Sequence, residues 1–353
     1  MATWSRTTIT EQATKHLREG LQEGRWRGRL PGRDQLAADL GVSPMTVARA
    51  VKQLEDEGLV VSQGNGRRRL IVLPESLLSP ATLRIAVLRF EPEDTELYFV
   101  VDFVHQLREA GHQVVYADQT QRGLKQNVKR IAKLVEKTGA DAWIVISGSD
   151  DILEWFAAQA KPCFGLFGSI SKLPIAGAGP NKNNAYATAA RRLVALGHRR
   201  IVVLTRCADQ TTAMIPFIRE LEALGLPVGR YNRPPFGDTP EELQELLVSL
   251  FATTPPTAIV AQNLDVFLAV QQFFGRRQLL VPEHVSLICG DPNPSFDWCR
   301  PTIAHIRWES APWVRRIVRW AEKIARGKQD TRKAIMDAEF IDGGTIGPAP
   351  AGR

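Results

Sequence analysis

Arg49 and Gln53 lie four residues apart in the run SPMTVARAVKQLEDEG, residues 43–58. A guanidinium can pair with the O6 and N7 atoms of guanine, and a carboxamide with the N6 and N7 atoms of adenine. On a helix this spacing sets both side chains on one face. Met45 and Thr46, one turn earlier, add an apolar contact and a hydroxyl. Val47, Ala50, Val51 and Leu54 recur at i, i+3, i+4 and i+7, an apolar stripe that must bury itself on the opposite side. The segment thus reads as a helix with a packing side and a reading side. Ser43 suits its N-cap, and Pro44 its first turn, where a missing N–H costs nothing.

Two further elements are needed to hold such a helix against a duplex. A shorter helical pattern runs from Arg33 to Leu40 and stops at Gly41. Beyond the reading helix come Leu59–Ser62, a turn through Gly64 and Gly66, then Arg67, Arg68 and Arg69 leading into Leu70–Val72. That order predicts helix, turn, helix and a two-stranded wing, with Arg67 and Arg69 facing phosphates or a minor groove. The DNA-contact set expected from these residues is Arg33, Ser43, Met45, Thr46, Arg49, Gln53, Gly66, Arg67 and Arg69.

Composition agrees and excludes other classes. The chain has 353 residues, enough for two or three folded units, and a net charge of +7. Residues 1–73 carry +4 of that charge, and the other 280 carry +3. A basic patch on so short a segment suits a polyanion. No apolar run reaches the roughly 20 residues of a membrane helix, and the N-terminus lacks the apolar core of an export signal, so a cytoplasmic protein is expected. Cys163, Cys207, Cys289 and Cys299 are scattered thiols, and the six histidines lack metal-ligand spacing. No cofactor and no metal are expected. Gly177, Ala178 and Gly179 begin a dinucleotide fingerprint that Lys182 breaks, and no phosphate-loop, nucleophile-elbow or zinc-protease motif occurs, so an enzyme is not expected.

Residues 74–82 read as a proline- and serine-containing linker. From Leu83 to about Ile346, β-branched runs alternate with amphipathic helices. Strands are expected at Arg84–Leu88, Gln113–Ala117, Ala142–Ser147, Cys163–Phe167, Arg200–Thr205, Ala258–Ala261 and Val285–Cys289. This pattern predicts an α/β domain of parallel sheets flanked by helices. The tail, residues 347–353, is expected to be disordered.

Two family resemblances sharpen these expectations. Residues 9–72 resemble the winged helix-turn-helix domain of GntR-type transcription regulators, through Gly28, Leu30, Pro31, Leu36, Ala37, Leu40–Ser43, Thr46, Val47, Ala50, Leu54 and Glu57–Leu59. The family pattern of arginines departs at Asp34, Pro44 and Ala48, so Arg33 and Arg49 are expected to substitute. Residues 83–346 resemble the effector domain of LacI/GalR-type repressors, similar to periplasmic sugar-binding proteins. The carrying residues are Ala189, Leu193, Leu196–Ile201, Thr257–Ala261, Asn263 and Val281–Ile288, ending near Asp291. The resemblance implies two lobes, about 83–178 with 305–322 and about 180–300, with a small carbohydrate between them and a homodimer on operator DNA. It carries Asn263 and Asp291 over as effector contacts. The family Asp falls on Asn181 and the family Arg on Ala213, leaving Arg206 and Asp209 as replacements, with Trp298 and the Phe90–Tyr98 segment as stacking surface. The expected function is a ligand-controlled repressor. A ligandless architectural DNA binder is the alternative.

Overall fold

The computed structural model describes residues 8–22, 25–26, 28–64, 67–72, 82–206, 214–237 and 239–351. The chain divides into two compact units, Met1–Ala176 with Val314–Arg332, and Gly177–Trp313 with Lys333–Arg353.

The first unit begins with three helices, α1 (Ile9–Gln22), α2 (Arg33–Leu40) and α3 (Pro44–Asp56), and an antiparallel wing, β1 (Val60–Val61) on β2 (Leu70–Ile71). The α2–α3 turn follows from local chemistry. Gly41 takes a left-handed conformation at φ 64°, which its missing side chain permits. Two residues later the Ser43 hydroxyl accepts the Thr46 backbone N–H at 3.1 Å and caps α3. The expected stripe of Val47, Ala50, Val51 and Leu54 is buried against Leu17, Leu21 and Leu36. Arg29 bridges to Leu70 and extends the wing by one antiparallel pairing.

Lobe one follows in the same unit. Its strands β3 (Arg84–Leu88), β4 (Gln113–Tyr116), β5 (Ala142–Ile146) and β6 (Cys163–Leu166) run parallel in the order β6-β5-β3-β4. Helices α4 (Tyr98–Glu109), α5 (Val128–Thr138) and α6 (Asp150–Ala157) connect them. Strand β5 is buried along its whole length, as a central strand covered on both faces must be.

The second unit holds β7 (Ala176–Asn181, from Gly177 onward), α7 (Asn183–Ala195), β8 (Ile201–Leu204), α8 (Ile215–Ala223), α9 (Pro240–Thr253), β9 (Ala258–Ala261), α10 (Leu264–Arg276), β10 (Ser286–Cys289), β11 (Ala304–Arg307), β12 (Lys333–Asp337) and β13 (Glu339–Ile341). Its main sheet has the order β13-β11-β10-β9-β8, parallel except for β13, and β7 pairs with β12 in parallel.

All seven expected strands form, each within one residue per end. Strands β7, β11, β12 and β13 and helices α6 and α11 (Ala311–Ala325) were outside the expectation. Strand β7 reads AGAGPN, with none of the β-branched or aromatic residues that mark a strand. The lobe boundaries also need correction. Strand β11 stays with the second unit because it pairs with β10 and β13, whereas residues 314–332 belong to the first, where Trp320 packs 5.4 Å from Phe164.

The tail expectation is overturned for its first residues. The Gly347 carbonyl accepts from His198 Nε2 at 3.0 Å, and the Gly347 N–H donates to Ser286 Oγ at 3.0 Å. The Ala349 N–H then reaches the Leu196 carbonyl at 2.8 Å. Backbone hydrogen bonds to buried partners fix a segment that composition alone marks as loose. Linker residues 74–81 lie outside the described residues. Among the described residues, no helix is long and apolar enough to cross a membrane, and no group of three or more His, Cys, Asp or Glu stands ready for a metal.

Candidate DNA interface and effector site

The reading helix is held by three clamps from other elements. Thr14 of α1 donates its hydroxyl to Gln53 Oε1 at 3.1 Å. Arg18 of α1 forms a two-pronged pair with Glu57, at 2.6 and 3.0 Å. Arg69 of the wing donates Nε to Glu55 Oε1 at 2.5 Å. Lys52 is also occupied, 3.0 Å from Asp56. These bonds redistribute the expected contacts. Gln53 turns its carboxamide oxygen toward α1, the oxygen that an adenine N6 would need, and Arg69 fastens the wing to α3. Ser43 and Thr46 spend their hydroxyls on the N-cap, 2.9 Å apart.

Met45 and Arg49 remain exposed on the outward face of α3, and among the described residues neither is held by an ion pair or side-chain hydrogen bond. Arg67 and Arg68 are exposed on the wing, and Arg33 is exposed at the start of α2, 3.3 Å from Asp34. Gly66 lies outside the described residues. Of the expected cationic contacts, Arg33, Arg49 and Arg67 are exposed, and Arg68, absent from the expected set, is exposed beside them. The run Arg67–Arg69 was the sequence signal that could have included it.

In the second unit, parallel strands β8, β9 and β10 end side by side, and their carboxyl ends carry Arg206, Asn263 and Asp291. Open parallel sheets bind ligands at that edge. Asn263 caps α10 by accepting the Val266 N–H at 3.1 Å. Arg206 lies 3.6 Å from Asp265, and its backbone N–H donates to Gln262 Oε1 at 3.0 Å. Asn181, at the end of β7, donates Nδ2 to Asp337 at 2.8 Å.

Lys182 is the residue that sequence reasoning passed over, having registered it only as a break in a glycine motif. Its Nζ donates to Asp291 Oδ1 at 2.6 Å and to the Gly290 carbonyl at 3.0 Å. Burial opposes its charge, but the Asp291 carboxylate outweighs burial and holds the ammonium well above the ordinary lysine range. The neighbouring Tyr186 hydroxyl is pushed by burial up to about 12. This end of the sheet thus presents a fixed cation, carboxylates and amides, a donor and acceptor set suited to hydroxyl-bearing ligands.

Among the described residues, no hydrogen bond, ion pair or ring contact brings Trp298 to that edge. It ends the 3-10 turn Pro294–Trp298 and is 88% exposed. Ala213 and Asp209 lie outside the described residues. In lobe one, the residues after β5 and β6, Ser147 and Phe167, hold φ of 51° and 64°, a conformation that side chains resist. Beside them Gln121 is fully buried, and its amide donates to the Ile146 carbonyl at 2.6 Å. Backbone strain of this kind has no signature in composition.

Residues 9–68 match the model of the gntR family of bacterial regulatory proteins, and residues 190–346 match that of the periplasmic binding protein-like domain. The chain is therefore a two-module transcription regulator, a gntR-family DNA-binding domain followed by a periplasmic binding protein-like domain. The sequence matches no curated protein. Among solved structures, a LacI family transcriptional regulator from Enterococcus faecium with bound ribose is similar over 75% of this chain and 99% of its own, with TM-score 0.62 and 16% identity. A CelR–cellobiose complex is similar over 90% of this chain and 100% of its own, with TM-score 0.62 and 16% identity. A dimeric Lac repressor with a C-terminal deletion is similar over 76% and 99%, with TM-score 0.61 and 15% identity. At identities this low the structural likeness shows the fold alone.

Proposed function

We propose that this chain is a cytoplasmic repressor whose grip on operator DNA is set by a small carbohydrate bound at the sheet edge carrying Arg206, Asn263, Lys182 and Asp291. The reading rests above all on one observation: a reading helix held by two clamps from α1 and one from the wing, with Arg49 presented outward. Rigid presentation of a few side chains is what base discrimination requires. The ribose- and cellobiose-bound neighbours support a sugar as effector.

The working form in this proposal is a homodimer on a two-fold site, with half-sites about 34–36 Å apart. Exposed Leu97, Tyr98 and Val101 around the start of α4, and Leu268, Leu280 and Trp298 in the second unit, give each unit an apolar surface for a second copy. Trp298 is reassigned from ligand stacking to this surface. The ligand acts by binding one arrangement of the dimer more tightly than the other, and its control extends no further than that difference.

Gel shifts across a salt series test the DNA half. Arg49→Ala is expected to weaken selected-site binding by about 1–3 kcal/mol, with little change on random duplex. Arg67→Ala should weaken both alike and flatten the salt slope by about 1. Equal loss on both duplexes in the Arg49 variant would contradict its role. For the sensing half, a sugar at about 100 times its dissociation constant should stabilise the intact chain by roughly 2.7 kcal/mol in thermal denaturation. Absence of any such response across a sugar panel would favour a ligandless DNA binder.

A further inference from the structure

Several polar groups at the start and along the flank of α3 already have partners within the protein. Gln53 is engaged by Thr14, Glu55 by Arg69, Lys52 by Asp56, and the hydroxyls of Ser43 and Thr46 by each other. Met45 contrasts with them. It is 65% exposed, on the outward face one turn before Arg49. Pro44 at the first helical position and the Ser43 cap fix where α3 begins, so the backbone beneath Met45 is set. A thioether side chain offers a duplex little hydrogen bonding. Its favourable partner is another apolar group, and in the major groove that group is the C5-methyl of thymine.

We propose that Met45 is a specificity-determining residue that reads a thymine methyl in each half-site, next to a guanine read by Arg49. Positions 45 and 49 are one helical turn apart, roughly 6 Å along the axis, so the two bases stand within about two base-pair steps of 3.4 Å. The inference rests on the DNA-binding reading above and adds the base chemistry to it.

The test uses the full-length chain. A random duplex library is first selected for tight binders, giving a consensus. Each consensus thymine is then replaced by deoxyuridine, which removes one methyl group and leaves every hydrogen-bonding atom in place. One position per half-site is expected to lose about fourfold in affinity, the contribution of one buried methyl-sized group. In Met45→Ala that penalty should vanish, whereas Met45→Leu should retain most of it. A consensus without a uracil-sensitive position, or a penalty of the same size in Met45→Ala, overturns the role of Met45 while leaving the regulator reading intact. A library that yields no enriched duplex at low salt overturns both.

Discussion

Replacing Asp330 by alanine is expected to lower the unfolding free energy by roughly 3–5 kcal/mol, the cost of leaving a buried charge without its partner. The Asp330 side chain is 2% exposed and that of Arg316 is 10% exposed. Asp330 Oδ1 accepts from Arg316 Nη2 at 2.8 Å and from the Arg332 backbone N–H at 3.1 Å, while Oδ2 accepts from Arg332 Nη2 at 3.0 Å. Removing the carboxylate strands the Arg316 guanidinium, which lies 5.7 Å above the Phe164 ring. Burial alone would raise the Asp330 pKa, but the hydrogen bonds from Arg332 and the cations of Arg316 and Lys323 outweigh it and hold the carboxyl well below the usual range. The folded state therefore binds the proton less readily than the unfolded chain. Its contribution is complete above about pH 4 and declines as pH falls below that value. Urea midpoints at constant slope should show the deficit of Asp330→Ala narrowing below pH 4. A deficit under 1 kcal/mol at pH 7 would contradict the assignment.

His198→Ala is the second large effect, expected to cost roughly 2–4 kcal/mol through lost packing and buried polar groups left unpaired. His198 is fully buried, with Nδ1 3.0 Å from Thr257 Oγ1 and Nε2 3.1 Å from Ser286 Oγ and 3.0 Å from the Gly347 carbonyl. Burial pushes its pKa down, the Gly347 carbonyl opposing only in part. Because the depressed value belongs to the folded state, the unfolded chain takes up the proton first. Stability from His198 is complete above about pH 6.5 and lost as pH falls through the interval beneath it. His112 and His305 are lowered by burial in the same sense. Acid unfolding should therefore begin with histidines below about pH 6.5 and deepen below about pH 4 with Asp330. Limited proteolysis supplies a second readout: His198→Ala should release the segment around Gly347 to carboxypeptidase, whereas Asp330→Ala should not. Continued protection of that segment in the histidine variant would contradict the hold of His198 on Gly347.

Local pattern was enough to specify the order of modules, the apolar stripe of α3, its Ser43 cap and Gly41 stop, and seven of the strands. These features depend on neighbours within about one turn of helix or one strand, where local sterics and periodicity decide. Asn263 and Asp291, after β9 and β10, came from the family resemblance, and Arg206, after β8, only as a replacement for a family arginine. Which polar groups already have partners is set by long-range folding. Gln53 reads as an unpartnered side chain until folding brings up the hydroxyl of Thr14, 39 residues away, and Arg69 reads as a free cation until Glu55 accepts from its Nε. Lys182 looked like a broken motif until folding set it 2.6 Å from Asp291, 109 residues distant. A side chain's chemistry is written in its type, but its availability depends on long-range pairing, and no local pattern encodes a partner brought near by the fold.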